Sequence, residues 1–351
     1  MNRSEAGDGR PVPIVERSAI NPEAELPSPL HVRPGGPNRS VKGFAIFALA
    51  LSVVFWRPLI DLARYAFGSD LYSHILLIPW VSLYLAALKR RTLPPVRAGN
   101  MMAAWIPGLT GALVLAVYGV LRFQGFRPAM DDYLSMMIFS WYCFLAAGFL
   151  AFLGSRVMRS LAFPVGFLAL MVPLPALFTN GLELFLQHTS ADAAAALFNL
   201  TGATVFREGL VFQLPGIAIE VARECSGIHS SLVLFITSLL AGHLLLRSRW
   251  KKAVLALAVI PLGIARNGLR IFTIGMLCVH VDPSMIDSPI HTRGGPLFFA
   301  LSLFPFFVLI YLLRRSERPE KNLKSAAPLL PGNPPPTPPG EAGAAGPAGN
   351  V

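Results

Sequence analysis

Apolar segments of membrane-spanning length recur along this chain and restrict its fold more than any other feature. Several of them approach or exceed the roughly 20 residues that a helix needs to cross a bilayer. We predict eight, at residues 43–56, 74–88, 101–121, 133–154, 159–178, 227–246, 253–279 and 297–313. Because backbone polar groups inside a bilayer must be bonded within their own segment, these are expected to be helices. The sequence therefore predicts an all-α integral membrane protein with about eight transmembrane helices.

The composition agrees with this fold class and excludes others. Of the 351 residues, 54% are hydrophobic and 14% are charged, whereas roughly a quarter are charged in a soluble domain. The net charge of +11 is explained by basic residues at helix ends, so we predict membrane lipids and no nucleic acid as partners. Cys143, Cys225 and Cys278 are far apart and follow no metal or disulfide spacing, so neither a metal nor a cofactor is expected.

Polar segments at both ends flank a single predicted domain. Residues 1–41 carry no apolar core of a signal peptide and are predicted to be a disordered cytoplasmic tail. Residues 317–351, rich in Pro, Gly and Ala, are predicted to be a second one. Residues 42–316 between them form the predicted transmembrane domain.

Basic residues predict the orientation of this domain in the membrane. They precede the first apolar segment and follow the second, fourth, sixth and eighth. They are Lys42, Lys89, Arg90, Arg91, Arg97, Arg156, Arg159, Arg247, Arg249, Lys251, Lys252, Arg314, Arg315 and Arg318. Because basic loops stay in the cytoplasm, both termini are predicted to lie on the cytoplasmic side of the plasma (inner) membrane. The loops at 57–73, 122–132, 179–226 and 280–296 then face outward.

Cys225 is the candidate nucleophile. A free cysteine is usually a small apolar filler, and that interpretation suits Cys143 and Cys278. Cys225 instead has polar neighbours and stands where a helix is expected to begin near Ser226. The N–H groups at a helix start favour the nucleophilic thiolate, and Gly227 would allow backbone or a substrate to approach closely.

Two arginines in the seventh apolar segment are candidate partners of this thiol. An arginine within an apolar helix is costly and by default marks a function, although snorkelling to the interface is an alternative. Arg266 lies four residues before Arg270 and shares its helix face, with the amide of Asn267 beside them. A fixed guanidinium could hold a substrate carboxylate or stabilise the oxyanion of a tetrahedral intermediate.

Two histidines compete for the role of general acid and base. His291 stands in the last outer loop, and alone it could be a solvated loop residue. His229 lies four residues after Cys225 and so shares its helix face. Either imidazole could polarise the thiol, and spacing alone does not choose between them. The predicted topology places Cys225, Arg270 and His291 on the same outer side of the membrane.

The segment before Cys225 is expected to be non-helical. Alternating β-branched residues at 211–222 predict a short outer strand or hairpin, which could bind a peptide by strand addition. Residues 184–200 are predicted to form an amphipathic helix lying on the membrane.

Several motifs resemble the exosortase/archaeosortase family of multi-pass membrane transpeptidases. In chain order they are Tyr72-Ser73-His74, Pro173-Leu174-Pro175, Leu186-Gln187, Gly202, Leu214-Pro215-Gly216, Glu220-Val221-Ala222, Cys225-Ser226-Gly227-Ile228 with Ser230, Asn267 with Arg270, and His291 with Gly295. The resemblance implies Cys225, Arg270 and His291 as the catalytic set. It also implies membrane-anchored exported proteins as substrates, each with a C-terminal signal of a Pro-Glu-Pro-like motif, a helix and a basic tail.

The resulting functional prediction is a membrane cysteine transpeptidase whose site faces the outer, periplasmic side. It would cleave the sorting signal and pass the exported protein to an envelope acceptor that the sequence does not name. Arg266, Asn267, His229, Ser226 and Gly227 would support the catalytic set. Two alternatives are a non-enzymatic transporter or assembly component for exopolysaccharide, which would not need the thiol, and an acyltransferase acting on lipid or sugar.

Overall fold

Helices make up most of the computed structural model, which describes residues 37–69, 71–96, 99–223, 226–288 and 294–317. The helices are α1 (Pro37–Val54), α2 (Trp56–Gly68), α3 (Ile78–Leu88), α4 (Met101–Phe123), α5 (Met130–Ser160), α6 (Ala162–Leu168), α7 (Ala176–Leu200), α8 (Ile228–Leu245), α9 (Arg249–Leu257), α10 (Val259–His280) and α11 (Gly295–Arg315). Short 3-10 helices lie at Ser73–Leu77, Arg90–Thr92, Ala169–Met171 and Pro283–Asp287. Helix α1 begins at Pro37, before the predicted domain boundary at residue 42, and proline suits a first helical position. The remainder of the predicted N-terminal tail, and the C-terminal tail beyond residue 317, lie outside the described residues.

The number of membrane spans differs from the predicted eight. Among the described residues, α4, α5, α8, α9 with α10, and α11 give five helices long and apolar enough to cross a membrane. Two bent pairs raise the number to seven: α1 with α2, bent by 73°, and the segment at 162–171 with α7, bent by 87°. The predicted span at 159–178 is broken because Pro173 and Pro175 cannot continue a helix. Helix α7 accordingly starts at Ala176, earlier than the helix predicted at 184–200.

Helices α7, α8 and α10 pack together beside the start of α8. Gly227 contacts Arg266 and Ser231 contacts Gly263, so α8 and α10 run antiparallel. Gly268 meets Ala193 of α7 and Gly275 meets Phe198, so α7 and α10 run in the same direction. These glycines let the backbones approach closely, which fixes α10 between α7 and α8.

A small antiparallel sheet covers the C-terminal halves of α7 and α10. Its strands are β1 (Phe206–Glu208), β2 (Val211–Leu214) and β3 (Ile217–Glu220), paired in the order β1-β2-β3. Gly216 takes a φ of 84° in the turn between β2 and β3, a conformation that glycine adopts readily. Phe212 and Val221 are buried against Phe198 and Ile274. The hairpin predicted at 211–222 is confirmed, with β1 as an additional strand.

The basic ends of several helices meet at one end of the molecule. Lys89 Nζ donates to Ser160 O at 3.1 Å, and the rings of Phe163 and His243 stack with centroids 3.6 Å apart. Glu317 accepts from the backbone N–H groups of Arg247 and Ser248, and these bonds, the one from Ser248 foremost, lower the pKa of Glu317. Helices α5 and α8 therefore share this end.

Acidic residues mark the opposite end of α5. Tyr133 donates to Asp61 Oδ2 at 3.3 Å, and Tyr65 donates to Asp131. Asp132 accepts from Ala176 N at 2.9 Å and so caps α7. These bonds tie α2, α5 and α7 together at the end away from the basic loops.

Candidate active site

The start of α8 is built on a tight turn. Ser226 N donates to Arg223 O at 2.9 Å, and Ser226 Oγ accepts from Ile228 N at 3.4 Å. Gly227 then takes a φ of 72° as the residue that caps the helix. Ser226 is 2% exposed, so this turn is buried. Cys225 directly precedes Ser226 in sequence but lies outside the described residues, as does His291.

Arg266 reaches across from α10 to this turn. Its Nη2 donates to Gly227 O at 3.2 Å and to Ser231 Oγ at 3.4 Å. Arg266 is 7% exposed and Asn267 is 2% exposed. A Cβ added at Gly227 would lie 3.0 Å from Arg266 Nη2 and 3.2 Å from Asn267 Oδ1. The glycine therefore leaves room for two polar side chains of α10 against the first turn of α8.

Arg270 follows one turn later on the same face of α10. It is half-buried, and its guanidinium interacts electrostatically with that of Arg266. Ser226, Gly227, Arg266 and Asn267, four of the predicted site residues, thus come together, with Arg270 beside them.

His229 lies on the first turn of α8, where its ring interacts electrostatically with His74. The Nδ1 atoms of both rings are buried and lack a hydrogen-bond partner among the described residues. The sequence motif contained His74 but assigned it no role. Its proximity to His229 depends on how the 3-10 helix at Ser73–Leu77 packs, which spacing along the chain does not reveal.

Two further contacts were not predicted from the sequence. Gln187 Nε2 donates to Val221 O and ties α7 to the end of β3, a few residues before Cys225. Ser231 binds Arg266 and shares a helix face with Gly227, four residues earlier. The motif Leu186-Gln187 was a signal for the first contact. The second had no signal, because serine is common in helices of this kind.

The arrangement carries a positive electrostatic potential. Two guanidinium groups and the N-terminus of an 18-residue helix concentrate positive potential at one place. Such a place favours a thiolate over a thiol and attracts anionic oxygen atoms. No group of three or more His, Cys, Asp or Glu side chains that could hold a metal ion occurs within the described ranges.

A family model described as transmembrane exosortase (Exosortase_EpsH) matches residues 56–308, more than two thirds of the chain. No curated protein and no solved structure matches. The matched range includes the turn before α8, both arginines of α10 and the positions of Cys225 and His291. Together with the apolar helices, this match makes the chain a multi-pass membrane protein, and the family is one of membrane transpeptidases in protein sorting. The chain belongs to the transmembrane exosortase family.

Proposed function

We propose that the chain is a cysteine transpeptidase that cleaves the C-terminal sorting signal of exported membrane-anchored proteins. The observation that carries the proposal is the docking of Arg266 on the first turn of α8, with Arg270 beside it. The candidate thiol, Cys225, stands two residues before Gly227, the residue that caps α8. Positive charge and a nucleophile are the two components that acyl transfer needs.

The proposed reaction has two stages. The Cys225 thiolate attacks the scissile carbonyl, and the oxyanion that forms is stabilised by Arg270. His291 protonates the leaving amine, which leaves an acyl-enzyme. His291 then takes a proton from the acceptor nucleophile, which attacks the thioester and releases Cys225. Because the substrate's own helix anchors it in the bilayer, proximity supplies much of the binding.

The proposed substrates carry a Pro-Glu-Pro-like motif, a transmembrane helix and a basic tail. The basic end of the enzyme would lie in the cytoplasm, with both termini, and the site would face the outer side of the plasma membrane. That placement matches an exported protein whose basic tail remains inside.

Replacement of Cys225 by serine tests the covalent step. Cys225→Ser keeps the size and polarity but lacks an easily formed thiolate, so processing of a coexpressed substrate should stop while the protein stays inserted. Cys143→Ser and Cys278→Ser are the matched controls, because both thiols are buried in helices. The measurement is the ratio of processed to unprocessed substrate on a gel, normalised to enzyme level. Normal processing by Cys225→Ser would exclude the mechanism and favour the non-enzymatic transporter or assembly component.

A further inference from the structure

The charge of Arg266 has no anionic partner among the described residues. Its Nη1 atom is buried and makes no hydrogen bond there, while Arg270, a charged group that acts on it, has the same sign. The ion pair found within the described ranges joins Arg207 to Asp192 elsewhere. A buried cation without a counter-ion is costly, especially inside a membrane protein. This cost is removed when an anion binds.

The guanidinium is also held in a fixed position. Nη2 donates to Gly227 O and to Ser231 Oγ, so the side chain is attached to the first turn of α8 while the hydrogen-bonding capacity of Nη1 is unused. The first turn of a helix carries N–H groups that attract anions. Two independent features, the helix N-terminus and the unpartnered Nη1, thus meet at one place.

We propose that Arg266 and the N-terminus of α8 form a binding site for an anionic oxygen group of the substrate peptide. The group is a carboxylate or the oxyanion of the acyl intermediate, since both present the same chemistry to a guanidinium. The proposal rests on the proposed function, because it takes the substrate to be the peptide that Cys225 attacks. It gives Arg266 an anion-binding role in addition to the role proposed for Arg270.

Alkylation of Cys225 by two reagents of different charge tests the site without any substrate. In a Cys143→Ser, Cys278→Ser form, the rates with iodoacetate, a carboxylate, and with neutral iodoacetamide are compared. Both reagents consume the thiolate, so their rate ratio is independent of the thiol's ionisation. Arg266→Gln should lower the iodoacetate-to-iodoacetamide ratio roughly 10-fold or more, the scale of one hydrogen bond to a charged group. Ser231→Ala should lower it by a smaller factor, because one anchor of Nη2 is lost.

Arg122→Gln is the matched control, since Arg122 is exposed in the last turn of α4 and should leave the ratio unchanged. An unchanged ratio in Arg266→Gln would overturn the anion site, provided that its thermal unfolding midpoint in detergent shows that the variant is folded. Failure of the proposed function would appear separately, as normal processing by Cys225→Ser. The steady-state constants of Arg266→Gln then identify the bound group. A raised KM indicates a carboxylate bound in the ground state, and a lowered kcat indicates the oxyanion. If KM and kcat are both unchanged, the proposal is contradicted.

Discussion

At the scale of single residues, Gly227 meets two separate requirements. Its φ of 72° lies in the left-handed region, and its missing Cβ leaves room for Arg266 and Asn267. An alanine in such a conformation costs about 1–2 kcal/mol from backbone strain alone. A Cβ at this position would also press against Arg266 and Asn267 and displace them. Backbone strain alone would not move these side chains.

A pair of glycine substitutions separates these effects. Gly209 has a φ of 61° but no atom within 4 Å of its would-be Cβ. We expect Gly209→Ala to lower the free energy of unfolding by about 1–2 kcal/mol and to retain substrate processing. Gly227→Ala should lose processing well beyond its loss of stability, because Arg266 and Asn267 must shift. Thermal unfolding in detergent and the gel assay measure the two quantities. Equal activities of the two variants would argue against a role for this close approach.

The sequence predicted part of this site. The shared face of Arg266 and Arg270 followed from local spacing, which helical geometry fixes. A close approach at Gly227 was expected of backbone or substrate, whereas the side chains of Arg266 and Asn267 lie there. The bonds of Arg266 to Gly227 and Ser231 did not, because they depend on how α8 and α10 pack, and these helices are separated by a loop and α9. The roles of Cys225 and His291 stay predictions.

At the scale of elements, α7 and α10 form the support beneath the sheet. The backbone of Gly268 lies against Ala193, and that of Gly275 lies against the ring of Phe198. Gln187 then links α7 to the end of β3. The position of the chain before Cys225 therefore depends on the contact between α7 and α10.

Enlarging one glycine should disturb that contact. A Cβ at Gly268 would lie 2.6 Å from Ala193 Cβ and 3.2 Å from its backbone carbon, which cannot rotate away. We expect Gly268→Ala to lower the free energy of unfolding by about 1–3 kcal/mol. Gly181→Ala is the control, because Gly181 is also helical but has open space around it. It should be neutral or stabilise by up to about 1 kcal/mol. The thermal unfolding midpoints of the two variants in detergent measure the difference. A Gly268→Ala midpoint at or above that of Gly181→Ala would contradict the close contact between Gly268 and Ala193.

The sequence predicted the sheet better than the helix breaks. Alternating β-branched residues gave the hairpin of β2 and β3, since a half-buried strand has a period of two residues. The predicted span at 159–178 was wrong. Pro173 and Pro175 leave the mean hydropathy of the segment high, but a helix cannot continue through them. The bend of 73° between α1 and α2 falls where the predicted span at 43–56 ends, but α2 continues as a helix into the loop predicted at 57–73.

At the scale of the whole molecule, charge divides the protein into two ends. The basic ends of α5 and α8 meet on one side, and the turn before α8 that holds Arg266 lies at the other end of that helix. Loops rich in Lys and Arg remain in the cytoplasm. We therefore expect the site to face outward.

Labelling of single cysteines tests this orientation. In a form with Cys143→Ser, Cys225→Ser and Cys278→Ser, we place one thiol at a time at two exposed positions. Ser284→Cys should react with a membrane-impermeant thiol reagent in intact cells, whereas Arg249→Cys should resist it, because the two positions lie at opposite ends of the α9–α10 unit. Both should react once detergent opens the membrane. The reverse pattern in intact cells would contradict an outward-facing site.

The length of α8 has a consequence for how a substrate helix must be built. Its 18 residues hold the candidate site about 27 Å from the basic end. A signal helix standing upright beside α8, with its basic tail at the cytoplasmic surface, would present to the site a bond about 18 residues from that tail. The enzyme would then select signals by the distance between the cleavable bond and the basic tail. An extra helical turn in the signal would carry the cleavable bond about 5 Å past the thiol, so the spacing in the signal would count as much as the motif itself.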